Sequence, residues 1–152
     1  MTNLRTANQT ARCLIGHSEG FSLTAYPDGD VWTIGWGTTR INGQPVQPGM
    51  IITRDQAAEY FNHDISVTEK EISNFVTVPL TDNQFSALVS LCYNIGGTKF
   101  RKSTLLRKLN AGDYAGAAGE FGRWIYARNK VLPGLVTRRQ REKELFLTPD
   151  GE

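Results

Sequence analysis

The segment that most restricts the fold runs from Val78 to Gly96 and reads VPLTDNQFSALVSLCYNIG. Thr81 and Gln84 stand in the Thr-x-x-Gln pattern, in which each side chain satisfies an orphan backbone N–H at a helix start. Phe85, Leu88, Val89, Leu91 and Cys92 follow and cover almost every side of the helix. A helix that is apolar all round is stable only when other elements enclose it. The chain must therefore supply a helical shell for this segment, and Gly96-Gly97 closes it.

The rest of the sequence supplies that shell. Leu4, Ala7, Ala11, Leu14 and Ile15 recur at roughly helical spacing and predict a first helix over about 4–18, stopped near Glu19-Gly20. A second capping box, Thr53 with Gln56, opens a helix over about 53–73 with Ala57, Tyr60, Phe61, Ile65 and Ile72 on one face. That length is enough to join two lobes. Shorter helices follow in STLLRKLN, in DYAGAAGEFGRWIYA with Asp113 as N-cap, and in PGLVTRRQREKELFL with Pro133 in the first turn. At 152 residues, with no repeat or linker, the chain is one domain of mostly α structure with a single β-hairpin near its start.

That hairpin is LTAYPDGDVWTIGWGT. Pro-Asp-Gly at 27–29 predicts the turn, with Pro27 presetting φ and Gly29 accepting a positive one. Beyond it the residues alternate: Trp32, Ile34 and Trp36 face a core, while Val31, Thr33, Gly35 and Gly37 leave the other face nearly bare. A bare face suits a strand on which another chain lies. Glu19, at the end of the first helix, and Asp28, nine residues on, would face one another once the hairpin folds back, with Thr33 between them. A protonated acid paired with an ionised carboxylate is the minimum equipment for glycoside hydrolysis. The apolar neighbours in LIGHSEGF favour the proton on Glu19. Spacing alone does not choose between Asp28 and Asp30, and it leaves open that Glu19 is solvated and that the aspartate serves only the turn.

Other chemistry has little support. His17 and His63 are isolated, no CxxC or His/Cys spacing suggests a metal, and neither a cofactor nor a Ser-based triad at Ser18 is called for. Cys13 and Cys92 sit in apolar contexts and read as two buried free thiols of a reducing compartment. No run approaches the roughly 20 apolar residues of a membrane span, and the polar start MTNLRTANQTAR lacks a signal-peptide core, so cytoplasmic synthesis is expected. Charge is uneven: residues 1–98 carry 5 basic and 9 acidic side chains, residues 99–152 carry 12 and 6. The last third is expected to face something anionic, or to be a solvated basic surface.

Taken together, Glu-x8-Asp-x4-Thr within EGFSLTAYPDGDVWTIGWG resembles the catalytic signature of the phage-type lysozymes, the muramidase endolysins of glycoside hydrolase family 24. LTDNQFSALVSLCYNIG, FRKSTLLRKLNAGDYAGAAGEFGRW and KVLPGLVTRRQREKELF are similar to the family's later blocks, in order and at matching separations. The resemblance implies an α+β, mostly α, bilobal fold: a small hairpin lobe at about 15–52, a connecting helix at about 53–73, and a helical lobe at about 80–148 joined by the N-terminal helix. It implies Glu19 as general acid and Asp28, rather than Asp30, as the second carboxylate, with Thr33 helping to hold the attacking water. It implies inversion at the anomeric carbon and, more loosely, that Thr39, Tyr93 and Ser103 line the saccharide cleft. Some relatives carry a histidine directly after the Gly-x-Gly run; this chain has Thr38 there, so an ion pair at that point is expected to be absent.

The function so implied is hydrolysis of the β-1,4 bond between N-acetylmuramic acid and N-acetylglucosamine in bacterial peptidoglycan by a monomer that binds no nucleic acid. It would wait in the host cytoplasm until a holin opens the inner membrane, then lyse the cell. Two other readings differ in kind. A lytic transglycosylase would need Glu19 alone. A cationic membrane-active protein would use the basic face of RRQREKELFLTP, with Arg138, Arg139, Arg141 and Lys143 opposite Leu135, Leu145 and Phe146.

Overall fold

The structure, a computed structural model, describes residues 5–127 and 129–150. Seven α-helices and three two-stranded antiparallel sheets alternate among these residues. The chain divides into two compact units, one made of residues 16–67 and the other of 1–15 with 68–152.

Within the 16–67 unit, β1 (Ser22–Asp28) pairs with β2 (Val31–Gly35). The turn is later than Pro-Asp-Gly predicts: Pro27 and Asp28 are strand residues opposite Trp32 and Val31, and Gly29-Asp30 make the two-residue connection. Gly29 takes φ 64°, which the first central position of a type II′ turn requires. The nearly bare strand face is also corrected. β2 ends at Gly35, and Gly35 (φ 64°) and Gly37 (φ 92°) belong to a turn that returns Thr38 to bond Ile34 in both directions. These glycines serve backbone conformation rather than an open surface. A second hairpin, β3 (Arg40–Ile41) with β4 (Gln44–Pro45), was absent from the sequence reading although Asn42-Gly43, both at positive φ, is the strongest short hairpin signal. Ala25, Ile34, Val46, Ile52 and Ala57 form the core here, with Trp32 and Trp36 packed against it as the alternation predicts.

In the other unit, α3 (Asp82–Ile95) is the buried helix that the sequence demands. The Thr81–Gln84 capping box is formed in both directions, and Phe85 to Cys92 are all buried. Around it stand α4 (Gly97–Arg101), α5 (Thr104–Asn110), α6 (Tyr114–Glu120) and α7 (Pro133–Leu147). Phe121 is fully buried here, its ring 5.6 Å from that of Phe146. A third hairpin pairs β5 (Tyr126–Ala127), at the end of the stretch expected to be helical, with β6 (Lys130–Val131), and Asn129 takes φ 65°.

Two helices run through both units. α1 (Gln9–Glu19) starts later than expected because Asn8 caps it, its side-chain oxygen accepting from the Ala11 N–H; the predicted Leu4 lies outside the described residues. α2 (Arg54–Phe75) begins at the predicted Thr53–Gln56 box.

Candidate functional site

Glu19 is the last residue of α1 and Asp28 the last of β1. Between them in sequence lies Tyr26, which reports on both. Burial raises the Tyr26 hydroxyl above its ordinary value, and the charges of Asp28 and then Glu19 push it the same way. Both acidic groups therefore lie within the electrostatic neighbourhood of this one hydroxyl.

The hairpin register explains the grouping. Tyr26 pairs directly with Thr33, and Asp28 with Val31. Residues two apart on a strand share a face, so Tyr26, Asp28, Thr33 and Val31 project on the side away from the core. Asp28 and Thr33 are diagonal neighbours, with Cβ atoms of such pairs roughly 7–8 Å apart. Thr33 is only 3 % exposed. Asp30 occupies the exposed turn.

Tyr26 is the residue that the sequence reading missed. The available signal was its position two before Asp28 in a strand, which puts both on one face.

The looser candidates divide. Thr39 is exposed, and its carbonyl accepts the Val46 N–H. Tyr93, half-buried on α3, and Ser103 belong to the other unit. The Ser103 hydroxyl is engaged in structure: it donates to the Phe100 carbonyl at 2.7 Å and accepts from the Leu106 N–H at 3.1 Å as the N-cap of α5. Thr38 proves more telling than its neighbour. Its hydroxyl donates to the Asp64 carboxylate at 2.7 Å.

Among the described residues no group of histidine, cysteine and carboxylate side chains could hold a metal. Both cysteines are free; Cys92 is buried and its thiol is pushed up to about 12, but Cys13 is exposed, against expectation, because it points off the outer side of α1.

Comparison with known proteins gives these features their setting. The family model described as phage lysozyme matches residues 16–142. The chain belongs to the phage lysozyme family. It is 43 % identical over 138 residues to an endolysin of Acyrthosiphon pisum secondary endosymbiont phage 1, covering 88 % of this chain and 92 % of the relative. Among solved structures, the endolysin from Escherichia coli O157:H7 phage FAHEc1 superposes with a TM-score of 0.83 at 36 % identity, over 97 % of this chain and 96 % of that one. The muramidase domain of SpmX from Asticaccaulis excentricus gives 0.83 at 35 % identity, over 95 % and 100 %. The α+β, mostly α fold is that of lysozymes, and the chain is a glycosidase of the lysozyme (muramidase) class that breaks down bacterial cell wall.

Proposed function

We propose that this chain is an endolysin hydrolysing the β-1,4 bond between N-acetylmuramic acid and N-acetylglucosamine in peptidoglycan. Glu19 donates its proton to the leaving glycosidic oxygen. Asp28, ionised, takes a proton from a water that attacks the anomeric carbon from the opposite side, and the Thr33 hydroxyl orients that water. The observation that carries this reading is the β1–β2 register, which puts Asp28 and Thr33 on one face of the hairpin that follows Glu19. Tyr26, neutral because its proton is held tightly, is a donor available to either carboxylate or to the sugar between them. Thr39, Tyr93 and Ser103 are carried as saccharide contacts, Ser103 through its backbone since its hydroxyl caps α5.

The membrane-active reading loses its main support in α7. Arg138 and Arg139 are buried, and both bond Glu142, so half of the supposed basic face points inward. Among the described residues no helix is long and apolar enough to cross a membrane. Holin-dependent access to the wall belongs to this reading and has its own test: cells expressing the chain without a holin remain intact until their inner membrane is permeabilised.

The deciding experiment compares wild type with Glu19→Gln, Asp28→Asn and Thr33→Ala in lysing outer-membrane-stripped Gram-negative cells, with analysis of the new sugar ends. Loss in the first two variants with hydrated, inverted muramic ends is expected. Anhydro ends with Asp28→Asn still active would assign the chain to the transglycosylases instead.

A further inference from the structure

Only the last turn of α1, from Gly16 to Glu19, belongs to the 16–67 unit. Where that turn sits decides where the Glu19 carboxyl can reach. One aromatic ring lies against the chain on both sides of it. A Cβ placed on Gly16 would stand 3.9 Å from Trp36 Cδ1 and 3.9 Å from Phe61 Cζ, so the helix passes these rings at its last turn. Gly20, at φ 75°, then ends the helix and the chain turns to Phe21. The Phe21 ring lies 4.4 Å from that of Trp36, tilted by 45°. Trp36 is in turn 5.3 Å from Phe61 of α2, tilted by 46°. Tilted pairs are among the arrangements that ring quadrupoles favour. Trp36 is the member common to every one of these contacts, and Glu19 lies between Gly16 and Phe21.

The backbone around Trp36 presents it for this purpose. Gly35 and Gly37, both at positive φ, flank it in the loop by which Thr38 returns to Ile34. The indole also packs on the core that seats Ile34, next to Thr33 on β2. The strand that carries Thr33 and the helix end that carries Glu19 are thus tied to a single side chain. Reacting groups need to be held within about half an ångström for full rate. We propose that Trp36 is a positioning residue for the hydrolysis: it sets where α1 ends, and with it the place of the Glu19 carboxyl relative to the hairpin bearing Asp28 and Thr33. The proposal rests on the reading of Glu19 as general acid. A tryptophan that only filled the core would contribute to stability and leave turnover alone.

The test measures kcat, KM and melting temperature for the full chain on soluble peptidoglycan strands, with each variant assayed well below its melting point. Trp36→Leu should lower kcat on the order of tenfold, with KM little changed. Trp36→Phe keeps a ring for Phe21 and Phe61 and should recover most of that loss. Phe21→Leu removes the ring beyond Glu19 while leaving Trp36 in place, and should lower kcat in the same way by a smaller factor; it keeps the question decidable if Trp36→Leu does not fold. Gly16→Ala adds a methyl at ordinary contact distance from the two rings and should keep the wild-type kcat. Ile52→Ala, from the same core, should lower the melting temperature at unchanged kcat. Wild-type kcat in both Trp36→Leu and Phe21→Leu overturns the proposal. So does a loss in Ile52→Ala as large as that in Trp36→Leu, because loosening the core would then suffice. A raised KM at unchanged kcat in Trp36→Leu also overturns it, since Trp36 would then be a sugar contact. Glu19→Gln, run alongside, separates the two readings. If that variant keeps the wild-type rate, the general-acid reading has failed and the proposal falls with it. If it is inactive while Trp36→Leu and Phe21→Leu are fully active, the positioning role alone has failed.

Discussion

Asp64 shows how one side chain sets a pH dependence. Its carboxyl is raised by burial, while the Thr38 hydrogen bond and the His63 charge pull it down. A raised folded-state value means that the folded chain holds this proton more tightly than the unfolded chain does. The group therefore favours folding at acid pH, and that contribution is lost as pH climbs through the ordinary carboxylate range and then the raised value. Asp64→Asn keeps an oxygen for Thr38 and abolishes the titration. Thermal unfolding across pH should find the variant at least as stable as wild type at neutrality, with a flatter curve on the acid side; a wild-type slope would contradict this account. Tyr26→Phe tests a different single atom. Removing the hydroxyl that feels Glu19 and Asp28 should lower kcat on stripped cells several-fold, with unchanged melting. A loss of melting temperature without loss of kcat would make Tyr26 a packing residue.

At the scale of the element, α7 carries the clearest prediction. Glu142 is 0 % exposed, bonds Arg139 at 2.6 Å and Arg138 at 3.2 Å, and accepts the Ser90 hydroxyl of α3 at 2.6 Å. Arg139 also reaches Asn94, and its Nε donates to the Trp124 carbonyl. Glu142→Ala would leave two guanidinium groups buried without their counter-charge, which costs roughly 3–5 kcal/mol; denaturant unfolding should record it. Thr81→Ala removes the α3 cap and costs about 1 kcal/mol by the same measurement. The caps were legible beforehand because Thr-x-x-Gln is a local pattern whose partners lie three residues apart. The apolar runs of α2, α3 and α7 were legible for a similar reason. What the sequence concealed depends on distant partners. Arg138 and Arg139 look like a solvated face until Ser90 and Asn94, some 45 residues upstream, are brought against them. The turn at Gly29-Asp30 was misplaced by two residues because Pro-Asp-Gly satisfies more than one turn template, and register is set across the strands rather than within the loop. Glu19, Asp28 and Thr33 were proposed from spacing and resemblance, whereas Tyr26 entered the proposal only with the pairing of β1 and β2.

Over the whole molecule, charge and chemistry are divided. The 16–67 unit holds 2 basic and 6 acidic side chains, among them Glu19 and Asp28; the remainder holds 15 and 9. An enzyme whose larger unit is cationic should meet an anionic wall faster at low salt. Initial lysis rates are accordingly expected to fall several-fold as ionic strength is raised, with little change in the rate on a short uncharged chito-oligosaccharide. Parallel loss on both would place the salt effect in the chemistry instead.

The same division has a consequence for how the chain is made. The 16–67 unit is one uninterrupted stretch, whereas its companion needs residues 1–15 to meet segments beyond residue 67. Asn8 bonds Ser86 and Asn83, so the start of the chain waits for α3 to leave the ribosome before its contacts exist. Both carboxylates thus belong to a piece that can collapse early in translation. The Glu142 ion pairs exist only once α7 has followed. The contiguous unit that carries the acid groups can therefore take shape ahead of its companion, whose buried ion pairs wait for α7.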